Sequence, residues 1–158
     1  SATWESLSVP YYIEDGGVLE LRGGTNLILD EGTEIHFGRN AGMHVVFGTL
    51  EARGTQLSRV KFVGEVNEAS SWRGIRIETN DPLNKLVYTT FRNAGGTPIK
   101  ADDQKGALVI DSPARMVLEK VDFESSGSCE INLLDEGSVV VVDDVSYEGS
   151  DGGVCVDG

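Results

Sequence analysis

The chain has 158 residues, 39% of them hydrophobic, and 20 Gly against 4 Pro, which suits one domain with a sizeable core and many turns. Its 13 basic and 26 acidic residues give a net charge of −13, which sets the surface against nucleic-acid backbones and anionic membranes. Two Cys and two His would all be needed for one four-ligand zinc site, and no apolar run approaches the length of a membrane span.

In chain order, the segment "TWESL" (3–7) is the best helical candidate and is too short to stand alone. From there on, short alternating apolar runs predict strands: "VLEL" (18–21), "MHVVF" (43–47), "IRI" (75–77), "LVI" (108–110) and "INL" (131–133). Between them recurs an apolar–polar–apolar unit: Ile35-His36-Phe37, Val60-Lys61-Phe62, Phe91-Arg92-Asn93, Val121-Asp122-Phe123 and Val145-Ser146-Tyr147. The first residues of these units lie 25, 31, 30 and 24 positions apart. Two polar residues precede most units, as in Thr89-Thr90, Glu119-Lys120 and Asp143-Asp144, and a Gly-containing stretch follows.

A repeat of about 25 residues made of strand and turn cannot bury its own apolar face, so the units must stack. The expected fold is all-β: a right-handed single-stranded parallel β-helix, a solenoid of about six rungs, forming one domain over residues 1–158. This domain either stands alone or is part of a longer extracellular protein. One inner ladder would join Ile35, Val60, Phe91, Val121 and Val145. A second would join Phe37, Phe62, Phe123 and Tyr147, with a break at Asn93. A β-sandwich also has short strands and regular turns, but it does not require side-chain identity to repeat.

Three motifs carry a family resemblance. Glu31-Gly32-Thr33 precedes Ile35-His36-Phe37; Gly48-Thr49-Leu50-Glu51-Ala52-Arg53-Gly54-Thr55 forms a Gly-x-Leu-x-Ala-x-Gly-Thr turn; Trp72-Arg73-Gly74-Ile75 opens a strand. Together they resemble secreted right-handed β-helix domains of the pectin-lyase-like superfamily over roughly residues 10–150. The resemblance implies the architecture and an extracellular or cell-surface location. It leaves activity open, because that scaffold carries lyases, hydrolases, adhesins and passive spacers. The polygalacturonase-like members carry a Gly-His-Gly on one rung, and this chain has none.

Candidate site residues lie where the spacing lengthens, in segments 63–73, 78–85 and 95–106, which are expected to project as loops and carry any binding function. Trp72, Arg73, Arg76 and Tyr88 combine aromatic faces with guanidinium groups, which suits sugar stacking and carboxylate binding. Asp102 and Asp103 could contact a ligand or calcium, although Lys100 and Lys105 beside them offer local neutralisation instead. No other cofactor is expected. Asp143-Asp144 fills a slot that accepts any polar pair and so reads as a solvated corner. His36 and His44 alternate with inward residues and are expected to face solvent. They have no Ser or Asp partner in sequence, which leaves nucleophilic catalysis unsupported.

Cys129 and Cys155 should fall on neighbouring rungs, within reach of a disulfide, but strand parity would turn them to opposite faces; a bridge and two free thiols both remain open. The expected function is a non-catalytic secreted or cell-surface module that binds carbohydrate or a surface partner and displays it rigidly, as an adhesin does. Expected partners exclude nucleic acid and include self-association through the C-terminal edge. The alternative is a polysaccharide lyase or glycoside hydrolase, or a fragment of one.

Overall fold

The computed structural model describes residues 1–111, 113–127, 129–134, 138–148 and 153–156. Among the described residues the fold is all-β, with no helix, and its strands make two sheets in which every pairing is parallel. Ten strands form the larger sheet: β1 (Ala2–Trp4), β2 (Tyr11–Ile13), β4 (Asn26–Leu29), β5 (Glu34–Phe37), β7 (Thr49–Arg53), β8 (Val60–Gly64), β10 (Lys85–Arg92), β12 (Arg115–Glu124), β14 (Val139–Asp143) and β15 (Ser146–Glu148). Six form the smaller: β3 (Val18–Leu21), β6 (Gly42–Val45), β9 (Gly74–Ile77), β11 (Leu108–Ile110), β13 (Ile131–Leu133) and β16 (Val154–Val156). The candidate helix at "TWESL" is absent: Trp4 instead ends β1 and pairs in parallel with Leu29.

Alternation along each strand sends one set of side chains to the core between the sheets. In the larger sheet, Leu29, Ala52, Leu86 and Leu118 stack one above another, all fully buried. A parallel stack in the smaller sheet runs Met43, Ile75, Leu108, Ile131. At the β14 and β16 edge the stacks end in exposed Val142 and Val154.

The aromatic ladder differs from its expected register. Phe91 lies opposite Phe62 and Phe123, and Ile35 lies opposite Phe62, so Phe91 and Ile35 are each two residues from their anticipated partners. The stack runs unbroken from Phe62 through Phe91 and Phe123 to Tyr147, with ring centroids 5.0, 4.9 and 5.8 Å apart. Asn93 interrupts nothing. The register was disguised because Thr89 occupies the inward position between Val60 and Val121. Threonine has the shape of valine, and its hydroxyl donates to the Val87 carbonyl at 3.2 Å, so the core accepts it.

The same two-residue shift puts Phe37 opposite Gly64. A Cβ at Gly64 would lie 2.9 Å from Cδ1 of Trp72, so the position must stay bare. Trp72 takes that space. Its ring stacks on Phe37 at 4.0 Å, and its Nε1 donates to the Arg92 carbonyl at 2.8 Å. Segment 63–73 therefore returns to the core at Ser71 and Trp72, while Glu65, Asn67, Glu68 and Ala69 remain exposed as a loop. Segment 78–85 is also tied down: Asn84 is fully buried and its Oδ1 accepts from the Leu50 amide at 2.9 Å.

The recurrent polar pair marks a bend. Tyr88, Lys120 and Asp144 all have left-handed φ values, of 44°, 55° and 54°. Tyr88 splits β10 into a half that pairs with β7 and a half that pairs with β8; Lys120 does the same in β12 for β14 and β15. The member of this slot in β10 is thus Val87-Tyr88, not Thr89-Thr90.

Cys129 and Cys155 form a disulfide with a Cα–Cα separation of 5.9 Å. Val154 does stack on Ile131, and Cys155 lies opposite Asn132 as parity requires. Cys129 precedes β13, where strand alternation no longer fixes the side-chain direction.

Phe123 is fully buried between Phe91 and Tyr147. Phe123→Ala should cost about 3–5 kcal/mol in denaturant unfolding. A cost under about 1 kcal/mol would place the ring outside the core.

Candidate binding site

The outward side of the smaller sheet carries its own ladder: Glu20, His44, Arg76, Val109 and Asn132, in register on successive strands. Residues 95–106 cross this face as a strap. Arg73 holds the strap at one end, donating from Nη1 to the Pro98 carbonyl at 2.9 Å and from Nε to the Asn40 carbonyl at 2.6 Å. Asn132 holds the other end, donating from Nδ2 to the Lys105 carbonyl at 2.9 Å.

Arg76 sits between strap and sheet, with its side chain only 2% exposed. Three carboxylates answer its charge. Nη1 meets Asp102 of the strap at 2.7 Å, Nη2 meets Asp111 at 2.7 Å, and Nε meets Glu78 at 3.2 Å. Glu78 also pairs with His44 Nε2 at 2.6 Å and with Lys100 Nζ at 2.8 Å. A guanidinium suits this place because its fork offers several donors in one plane.

Burial pushes the Glu78 carboxyl up, but hydrogen bonds from Lys100 and His44 outweigh it and hold the group at about 2. Burial likewise pushes Asp102 up, and it ends below its ordinary value because the Gln104 amide and Arg76 favour the ionised form. Burial pulls Arg76 down, and contact with Asp111 and Asp102 more than restores it. In Glu78, Asp102 and Arg76 the charged form is the one that these contacts favour.

The structure divides the anticipated site residues. Arg73, Arg76 and Asp102 come together here. Asp103 is exposed on the strap with a left-handed φ of 59°. Tyr88 belongs to the larger sheet, where the Arg59 guanidinium lies 5.7 Å from its ring centroid. Trp72 is fully buried against Phe37 and offers no face to a sugar. Among the described residues no group of three or more His, Cys, Asp or Glu side chains is arranged to hold a metal ion.

Sequence reasoning missed His44, Glu78 and Asp111. His44 does point outward, but it is only 7% exposed, because Glu78 and its neighbours cover it. A signal existed: "GMHV" (42–45) and "GIRI" (74–77) share a pattern with a basic residue in third place, and they pair in register.

No protein-family model, no curated protein and no solved structure matches the chain. The architecture is compatible with the β-helix resemblance, which rests on the motifs and the parallel sheets.

Removing the guanidinium would leave three carboxylates facing one another. Arg76→Ala should destabilise the fold by about 3–5 kcal/mol. Asp102→Asn should cost under about 1 kcal/mol, because that carboxylate is 37% exposed and partly screened. Denaturant unfolding of both variants checks the contrast, and equal costs would show that Arg76 is not the centre of the cluster.

Acid should weaken the same cluster. The folded pKa of Glu78, about 2, lies below its ordinary 4.5, so its ionised form stabilises the fold fully above pH 4.5. That contribution is lost as pH falls from about 4.5 towards 2. Stability measured across this window should fall more steeply for the parent than for Glu78→Gln; parallel profiles would remove Glu78 from the account.

Proposed function

We propose that the chain is a right-handed single-stranded parallel β-helix of about six rungs, and that it works as a non-catalytic binding and display module outside the cell or at its surface. The strap-covered face of the smaller sheet would be its recognition surface, and carbohydrate or a surface protein its ligand. The observation that carries this reading is the closure of the Arg76 cluster. A buried cation is met by carboxylates from three segments, which fixes the strap on a rigid sheet. Exposed Lys100, Asp102 and Asp103 on the strap, with Glu20 and Arg22 beside His44, form a polar rim around it.

The test is a panel of acidic and neutral glycans, read both for binding and for release of reducing ends. The expected result is binding that is reduced when the strap is shortened, with no release. Release of reducing ends would favour the lyase or hydrolase alternative. Unchanged binding by strap-shortened protein of normal stability would place the recognition surface elsewhere.

A further inference from the structure

A cleft of about 380 Å³ opens on the outer side of the larger sheet, away from the Arg76 face. Ser6 borders it from the segment between β1 and β2, Gly32 and Glu34 from β5 and the turn before it, Ser58 from the turn after β7, and Lys61 from β8. Gly32 keeps the cleft open. Its φ is +76°, and a Cβ there would lie 2.6 Å from Ser58 Oγ and 3.3 Å from Ser6 Oγ. Both hydroxyls therefore border the space that a larger residue would fill.

The polar groups here are unspent, unlike those around Arg76. Among the described residues, the Ser6 and Ser58 hydroxyls, the Gln56 amide and the Lys61 ammonium make no hydrogen bond or ion pair. Glu34 commits one oxygen, Oε1, to His36 Nε2 at 2.8 Å. Arg59, by contrast, is tied to Thr90, to the Lys120 carbonyl and to Asp122. Lys61 and Glu34 are register partners on adjacent strands, so an acceptor and a donor of opposite charge stand side by side.

That lining selects the ligand. An anion would be held by Lys61 but would face Glu34, in a protein of net charge −13; a cation would meet Lys61 and Arg59. A hydroxyl group both donates and accepts, so a pair of them satisfies a carboxylate and an ammonium at once. Leu57 at the mouth is 98% exposed and offers aliphatic contact to a C–H face. The geometry points to a second binding site in which Ser6, Glu34, Ser58 and Lys61 take the vicinal hydroxyls of a neutral polyol or sugar ring.

The experiment is amide NMR of the whole chain titrated with sorbitol and methyl α-mannoside, with sulfate and 1-propanol as contrasts. Saturable shifts at Gly32, Ser58 and Lys61 with the two polyols are expected. Lys61→Met and Ser58→Ala should each weaken them roughly tenfold or more, with an unchanged melting temperature as the check on folding. Asp102→Asn, on the other face, should leave them as they are, so the cleft and the strap-side reading stand or fall separately. No saturable shift with either polyol, a stronger response to sulfate, or normal binding by a folded Lys61→Met or Ser58→Ala variant would overturn the proposal.

Discussion

The larger sheet and the smaller one are both assembled from strands that never pair with their neighbours in sequence. Each strand finds its partner one passage of the chain away, between 23 positions, as for Leu27 and Leu50, and 34, as for Ala52 and Leu86. Parallel pairing imposes this, because the chain must travel back before it can lie beside itself in the same direction. A passage may lengthen only if its extra residues are stored without disturbing the register of the next. The rest of the structure follows from how that storage is done.

Three kinds of storage are visible. Segment 63–73 loops out at 65–69 and returns to put Trp72 in the space left by Gly64, so part of the extra chain becomes core. Segment 78–85 folds around Asn84, whose side chain takes over a strand's role by accepting from the Leu50 amide. Segment 95–106 lies flat on the smaller sheet and needs charge to stay there, because an outward sheet face gives it little apolar surface to cover. The Arg76 cluster supplies that attachment. Its burial follows from the strap crossing over it, and its carboxylates are required because an unanswered buried guanidinium would be costly.

The two polar regions differ in how fully their groups are used. Around Arg76 every charged group has a partner, and the result is a fixed platform. Beside Gly32 several donors and an acceptor are left over, and the result is an open polar cleft. Both are built where turns and connecting segments meet outward strand positions, and the inward positions of those strands are ordinary core.

The sequence by itself determined the strand and turn composition, the parallel stacking of units, and the corner at Glu119-Lys120 and Asp143-Asp144. Those follow from two-residue alternation and from a repeat length, both local properties. It did not determine the register at Ile35 and Phe91, because Thr89 can stand in a valine position and Gly64 in a phenylalanine position once Trp72 is available to fill it. It pointed to Trp72 as a sugar-stacking aromatic because Arg73 and Arg76 lie beside it in sequence; only packing revealed the space opposite Phe37. It left the Cys129–Cys155 pairing open because alternation stops where β13 begins. Tertiary structure alone brought Glu78, Asp102 and Asp111 to Arg76, and Ser6 and Ser58 to one cleft, since the separation of those positions depends on how much chain each passage stores.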